Sequence, residues 1–135
     1  MLEFWGPLLF VDIGFDPNYS FIPGGPPPIP GKTQLPALVD TGAGSSCIDS
    51  LLAAQLNLPV IDKRMQSGAH GAREVNIHMA QVHVPALNFT IYGEFAAADL
   101  RIGGQSIDAL IGRTFLRHFR MIYDGNTGDV ELIGT

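Results

Sequence analysis

The chain has 135 residues, of which 46% are hydrophobic and 16% are charged, a composition typical of one compact globular domain covering residues 1–135. Its net charge of −5 argues against a nucleic-acid partner, because binding phosphates requires a basic surface. The single cysteine, Cys47, excludes an internal disulfide and fits a reducing compartment, so a cytoplasmic location is expected.

The N-terminal part of the chain is an apolar run followed by a segment rich in proline and glycine. The run Phe4–Phe15 is too short to cross a membrane and lacks the basic flank of a signal peptide, so no membrane insertion is expected. Within it, Leu8–Phe15 is predicted to form a strand. Residues 16–33 cannot form a helix or a central strand because proline lacks a backbone donor. They are interpreted as a long hairpin loop, and a polyproline II ligand for a partner domain is the alternative.

A second predicted strand, Gln34–Val39, runs directly into an acid, a small hydroxyl residue and two glycines, Asp40-Thr41-Gly42-Ala43-Gly44. A carboxylate at the end of a buried strand is costly unless partners stabilise it. The glycines allow a tight turn and a close approach to the backbone, and Thr41 can hydrogen-bond across the loop. An ordinary polar turn is the simpler alternative, but the complete apolar-apolar-Asp-Thr-Gly-Ala run favours a functional carboxylate.

The middle of the chain predicts a short helix followed by a long hairpin. After an extended stretch at Ser45–Ile48, Asp49 or Ser50 can cap a helix that continues to about Asn57 and places its leucines in the core. Lys63–Val84 has the period of a hairpin, and two glycines lie in its centre, Ser67-Gly68-Ala69-His70-Gly71. Such a tip can close over a ligand as a lid, although an exposed turn explains the same residues.

The C-terminal part predicts further strands and a second apolar-glycine element. Strands are predicted at Leu87–Phe95 and Leu100–Ile102. The apolar triplet 109–111 then leads to Gly112, Arg113 and a short helix. A closing hairpin is predicted from strands at 119–124 and 129–133, joined by a glycine-rich turn.

In this order, the Asp-Thr-Gly-Ala run, the capped helix, the glycine-bearing hairpin and the apolar-Gly-Arg element resemble the retropepsin-like aspartic peptidases. The closing stretch from Phe115 to Gly134 is similar to the protease domain of the DNA-damage-inducible ubiquitin-shuttle proteins. The resemblance covers roughly Pro7 to Gly134. It implies an all-β acid-protease fold with one or two short helices, assembled as a two-fold homodimer.

The resemblance also implies an activity and a set of residues. Asp40 would be the catalytic acid, supplied once by each subunit, and the dyad would hydrolyse peptide or protein substrates without a cofactor or metal. The residues implied to support the active-site loop are Thr41, Gly42, Ala43, Gly112 and Arg113. The hairpin tip would contact the substrate through Ser67, Gly68, Ala69, His70 and Gly71. Apolar pocket walls are expected beside the cleaved bond.

One position departs from the family pattern. In retroviral members the arginine at the place of Arg113 forms an ion pair with an acid just after the Asp-Thr-Gly-Ala run, but that position is Gly44 here. An ion pair of Arg113 is still expected, with its partner open.

Two other functions are compatible with the sequence. A catalytically silent module could use the same fold for dimerisation or peptide binding. A metal hydrolase would need ligands from His70, His78, His83 and His118, yet none of these histidines forms an H-E-x-x-H motif.

Overall fold

A computed structural model describes residues 7–68 and 71–134. Within these ranges the chain is built mainly from strands, with two short α-helices. The strands are β1 (Leu8–Gly14), β2 (Lys32–Val39), β3 (Cys47–Asp49), β4 (Val60–Gly68), β5 (Gly71–Val84), β6 (Phe89–Ala98), β7 (Ala109–Ile111), β8 (Phe119–Tyr123) and β9 (Val130–Gly134). The helices are α1 (Ser50–Gln55) and α2 (Arg113–Leu116), and a 3₁₀ turn spans Pro85–Leu87.

Seven strands form one sheet in the order β1-β2-β7-β3-β6-β5-β4. Because β1 also pairs with β5, the sheet curls back on itself like a barrel. Strands β8 and β9 form a separate antiparallel hairpin. The predicted all-β fold with one or two short helices is therefore confirmed.

The period of two in β2 explains how the sheet positions the end of this strand. Leu35, Ala37 and Val39 are buried in the core, as alternate residues of a half-buried strand should be. Strand β2 pairs in parallel with β7, and Val39 lies opposite Ile111. Since parallel strands end at the same sheet edge, the residues that follow them, Asp40 and Gly112, are brought together.

The predicted strand at Leu100–Ile102 is wrong, because these residues form a turn. The backbone N–H groups of Leu100 and Arg101 donate to Oδ1 of Asp49 at 3.1 and 3.0 Å. Asp49 is buried, so its carboxylate needs such donors. The two amides are consequently unavailable to a strand ladder.

Helix α1 begins as predicted, with the Leu52 N–H donating to Oδ2 of Asp49 at 3.2 Å. It ends at Gln55 rather than near Asn57, which has the left-handed φ of 51°. The prediction that the leucines of this helix are core is wrong for Leu51, whose exposed fraction is 48%. Leu51 and Leu52 are adjacent on a short helix, so they point in different directions and only Leu52 is buried.

Candidate active site

The carboxyl group of Asp40 lies in a tight turn at the end of β2. Its Oδ1 accepts a hydrogen bond from the Gly42 N–H at 2.9 Å, and its carbonyl accepts one from the Ala43 N–H at 3.2 Å. A Cβ added at Gly42 would lie 3.2 Å from Oδ1 of Asp40, so a side chain there would crowd the carboxyl group. The turn holds Asp40 half-buried at the surface of the domain.

Strand β7 and the residues after it hold this loop through backbone hydrogen bonds. The Asp40 N–H donates to the Ile111 carbonyl at 2.9 Å, and the Arg113 N–H donates to the Ala43 carbonyl at 2.9 Å. These two bonds hold the loop on either side of Thr41 and Gly42, which are both exposed. The structure brings together the two elements that the sequence analysis paired.

Gly112 packs so closely against the loop that no other residue fits. A Cβ at this position would lie 2.4 Å from the Ser45 carbonyl oxygen and 2.8 Å from that of Ala43. Its N–H donates to Oγ of the buried Ser46 at 3.0 Å. Ser46 could not be singled out from the sequence, because nothing in the run Gly-Ser-Ser distinguishes the buried serine from its exposed neighbour Ser45.

Among residues 7–68 and 71–134, no acid forms the predicted ion pair with Arg113. Its Nη1 donates instead to the carbonyl oxygen of Thr41 at 2.8 Å. A Cβ at Gly44 would lie 3.6 Å from Nη2 of Arg113, so the guanidinium occupies the neighbourhood of the missing acid. Because position 44 carries no side chain, the backbone of the Asp40 loop provides the acceptor.

The thiol of Cys47 lies just beyond the loop and remains protonated at neutral pH. Burial raises its pKa to about 11, the nearby carboxylates of Asp40 and Asp49 act in the same direction, and a hydrogen bond with the Leu110 backbone partly opposes them. The half-buried Cys47 is therefore a poor nucleophile.

The hairpin predicted at Lys63–Val84 begins earlier, at Val60, and is otherwise present as β4 and β5. Ser67 pairs with Ala72 and Gly68 pairs with Gly71, close to the predicted tip. The tip residues Ala69 and His70 lie outside the described residues.

A groove of about 250 Å³ lies between the Asp40 loop and this hairpin. Its lining is mixed rather than uniformly apolar, because it includes the ion pair between Arg64 and Glu94 (2.8 Å) as well as the apolar side chains of Met65, Ile77 and Ala96. The complete lining is Ser45, Ser46, Arg64, Met65, Gln66, Ile77, Glu94 and Ala96.

Two of the histidines have structural partners. Nδ1 of the buried His78 lies 2.9 Å from the Leu58 carbonyl, and Nδ1 of His83 lies 2.9 Å from Oγ1 of Thr90. Across residues 7–68 and 71–134, no group of three or more His, Cys, Asp or Glu side chains is arranged to hold a metal ion. In the same part of the chain, no helix is long and apolar enough to span a membrane.

Comparison with known proteins assigns this architecture to a class. The family model described as "Aspartyl protease" matches residues 28–115, which include both the Asp40 loop and Gly112. The chain therefore belongs to the aspartyl protease family. A search of curated proteins found no match.

Solved structures with the same fold include two viral proteases. The EIAV protease complexed with the inhibitor HBY-793 is 19% identical, with a TM-score of 0.53, over 83% of this chain and 86% of that protease. The simian foamy virus (mac) protease is 14% identical, with a TM-score of 0.53, over 82% of this chain and 91% of that protease. At these identities the likeness concerns the fold, and the predicted retropepsin-like fold is confirmed.

Proposed function

We propose that this chain is an aspartic endopeptidase in which Asp40 from each of two identical subunits forms the catalytic dyad. The observation that carries this proposal is the bracing of the Asp40 loop by the Ile111 carbonyl and the Arg113 N–H, each at 2.9 Å. This bracing fixes a half-buried carboxyl group at the surface of a domain that belongs to the aspartyl protease family. A fixed carboxyl group costs little further ordering when a substrate binds.

Peptide hydrolysis by this route requires two carboxyl groups that share one proton. The ionised carboxylate takes a proton from a water molecule, whose oxygen attacks the scissile carbonyl carbon. The protonated partner donates its proton to the carbonyl oxygen, giving a neutral tetrahedral diol. The diol then collapses as a proton passes to the amide nitrogen and the carbon–nitrogen bond breaks. A single carboxyl group cannot perform both tasks at once.

The need for two carboxyl groups leads to the proposed homodimer. The sequence contains one Asp-Thr-Gly run, so a two-fold axis beside Asp40 is the simplest source of the second acid. Thr41 is exposed next to Asp40, where it would contact the loop of the partner across that axis. The hairpin β8–β9 offers a further contact surface, since Ile122 and Ile133 on its outer face are 50% and 39% exposed.

The proposed substrate is an extended peptide that lies between the Asp40 loop and the β4–β5 hairpin. The hairpin would act as a flap, with Ser67 to Gly71 contacting the peptide backbone. The groove beside the loop would receive one substrate side chain. Because the lining of this groove includes both the apolar Met65 and Ile77 and the Arg64–Glu94 ion pair, it suits a side chain with an apolar stem and a polar end.

A subunit-mixing experiment tests the shared dyad directly. Equal amounts of the wild-type chain and Asp40→Asn are allowed to exchange subunits, and peptide cleavage is compared with that of the wild-type chain alone. The amount of wild-type chain is the same in both samples, so the mixture contains twice as many dimers. About one quarter of them would hold two carboxyl groups, and the amount of cleaved peptide should therefore fall to about half. Asp62→Asn, which changes an exposed acid on β4, is the matched control and should not lower the yield.

Unchanged cleavage after verified subunit exchange would contradict the shared dyad. If the wild-type chain forms dimers but never cleaves a peptide, the catalytically silent binding module would replace the peptidase as the proposed function.

A further inference from the structure

The surface segment Pro26–Pro30, between β1 and β2, reads Pro-Pro-Pro-Ile-Pro. Each of its residues is a proline or directly precedes one, so φ is held near about −65° at the prolines and the remaining residue is restricted to extended backbone. All peptide bonds of the described residues are trans. Such a run forms a polyproline II helix with about three residues per turn.

One residue of this segment faces the domain. Within Pro26–Pro30 only Pro28 is buried, and the other four residues are exposed. Three positions after Pro28, Gly31 is exposed, but a Cβ there would lie 2.9 Å from Cδ2 of Leu56, so a side chain at this position would also point towards the domain. The edge of the polyproline II helix that carries Pro28 is therefore turned inward. The residues of the other two edges are exposed, and Pro26 and Pro27 also line a cleft of about 400 Å³ beside the segment.

The two outward edges carry matching pairs of side chains. Pro26 and Ile29 lie on one edge, and Pro27 and Pro30 lie on the next. Ile29 is 75% exposed, so its side chain is accessible to a partner. A domain that binds polyproline II ligands takes side chains from two adjacent edges into grooves lined by aromatic rings, and leaves the third edge free. Here the third edge is the one that Pro28 uses to anchor the segment.

The segment is held in place before any partner binds. The Ile29 N–H donates to Oδ2 of Asp16 at 3.1 Å. The backbone of Asp16 is in turn fixed by the buried side chain of Gln81, which accepts from its N–H at 2.6 Å and donates to its carbonyl at 2.9 Å. The segment Pro26–Pro30 is therefore already ordered in the folded chain, which lowers the entropic cost of binding a partner.

A positive charge follows the exposed edges at a fixed distance. Lys32 is exposed at the start of β2, two residues after Pro30. The stretch Pro27–Lys32 therefore has the form Pro-x-x-Pro-x-Lys. A cation at only one end sets the direction in which the ligand lies and matches an acidic side chain at the rim of the binding groove.

We infer that Pro26–Lys32 is a docking site for an SH3-type domain, whose aromatic grooves take the two exposed edges and whose acidic rim pairs with Lys32. The site is independent of Asp40 and of the proposed peptidase activity. It lets this domain be held by a partner without using the groove beside the Asp40 loop.

The test measures binding of the whole chain to purified SH3 domains that select Pro-x-x-Pro-x-Lys or Pro-x-x-Pro-x-Arg peptides, by isothermal titration calorimetry. The double variant Pro27→Ala with Pro30→Ala, and separately Lys32→Glu, should each weaken binding by about tenfold or more. Pro23→Ala changes an exposed proline of the same loop outside the docking site and is the matched control. It should leave the affinity within about twofold. Thermal unfolding of each variant verifies its fold, and Lys32→Glu keeps the test valid if the proline variant is unstable.

Three outcomes would overturn the inference. The first is that no SH3 domain of the panel binds the wild-type chain. The second is that the variants bind as tightly as the wild-type chain. The third is that the proline variant changes self-association in sedimentation experiments while no SH3 domain binds, which would place Pro26–Lys32 between two copies of this chain.

Discussion

The backbone N–H of Gly112 donates to Oγ of Ser46 at 3.0 Å, across 66 positions of sequence. This bond joins the end of β7 to the far side of the Asp40 loop, and Ser46 is buried where water cannot replace it. The geometry of the Asp40 carboxyl group therefore depends on two residues with no acid or base chemistry of their own.

Replacing Ser46 by alanine should destabilise the domain by about 1–3 kcal/mol, because the buried Gly112 N–H loses its acceptor. Urea unfolding followed by circular dichroism measures this loss. The matched control is Ser45→Ala, since Ser45 is the exposed neighbour and its loss should change the free energy of unfolding by less than about 0.5 kcal/mol. Equal effects at the two positions would contradict the assigned hydrogen bond.

Replacing Gly112 by alanine should cost about 1–3 kcal/mol or more, because the added Cβ would lie 2.4 Å from the Ser45 carbonyl oxygen and force the backbone apart. Gly93→Ala in β6 provides the control, since nothing lies within 4 Å of a Cβ placed there. Denaturant unfolding of both variants measures the difference in their free energies of unfolding. A Gly112→Ala chain as stable as the Gly93→Ala chain would show that the loop is not packed as described.

The sequence was sufficient to predict the strands, the short helices and the approach of the Asp40 loop to Gly112, because these depend on local periodicity and on a recognisable pair of motifs. It was not sufficient at Leu100–Ile102. Three apolar or long side chains suggested a strand there, but the carboxylate of Asp49 binds two of the backbone amides from a distance of 51 and 52 positions. Hydrogen bonds between residues so far apart in the chain leave no local sequence pattern from which they could be predicted.

The partner of Arg113 was unpredictable for a related reason. Glycine at position 44 excludes the acid that the family pattern places there. That the carbonyl of Thr41 accepts a hydrogen bond from Arg113 instead can be seen only in the folded structure. Likewise, an extended conformation at Pro26–Pro30 could be expected from the prolines, whereas the burial of Pro28 rather than a neighbouring residue depends on the surrounding domain.

The buried carboxylate of Asp49 accepts hydrogen bonds both from helix α1 and from the turn that begins at Leu100. Asp49→Ala removes the acceptor of the Leu52, Leu100 and Arg101 amides and should cost about 2–4 kcal/mol. Asp49→Asn keeps one acceptor oxygen and should cost clearly less. Hydrogen exchange should show faster exchange at these three amides. If Asp49→Ala costs less than about 0.5 kcal/mol, the carboxylate does not hold the turn.

Below pH 9.0, the Cys47 thiol should react with iodoacetamide about 100-fold more slowly in the folded chain than in the unfolded chain, because burial raises its pKa from 9.0 to about 11 and lowers the thiolate fraction accordingly. The reaction rate should keep rising with pH until about 11. A plateau near pH 9.0 would contradict the raised pKa.

The same shift predicts how stability depends on pH. Between pH 9.0 and about 11 the unfolded thiol ionises while the folded thiol stays protonated, so unfolding becomes more favourable as pH rises. The stability of the wild-type chain relative to Cys47→Ala should therefore be constant below this range and fall within it. A constant difference throughout the range would contradict the prediction.

Asp40 is the residue on which the proposed peptidase activity depends. The most direct measurement is digestion of a peptide library from acidic to neutral pH by the wild-type chain and by Asp40→Asn, with cleavage products identified by mass spectrometry. Cuts are expected from the wild-type chain alone, with Asp40→Asn folded and inactive. Equal cleavage by both chains, or no cleavage by a folded wild-type dimer at any pH, would contradict this expectation.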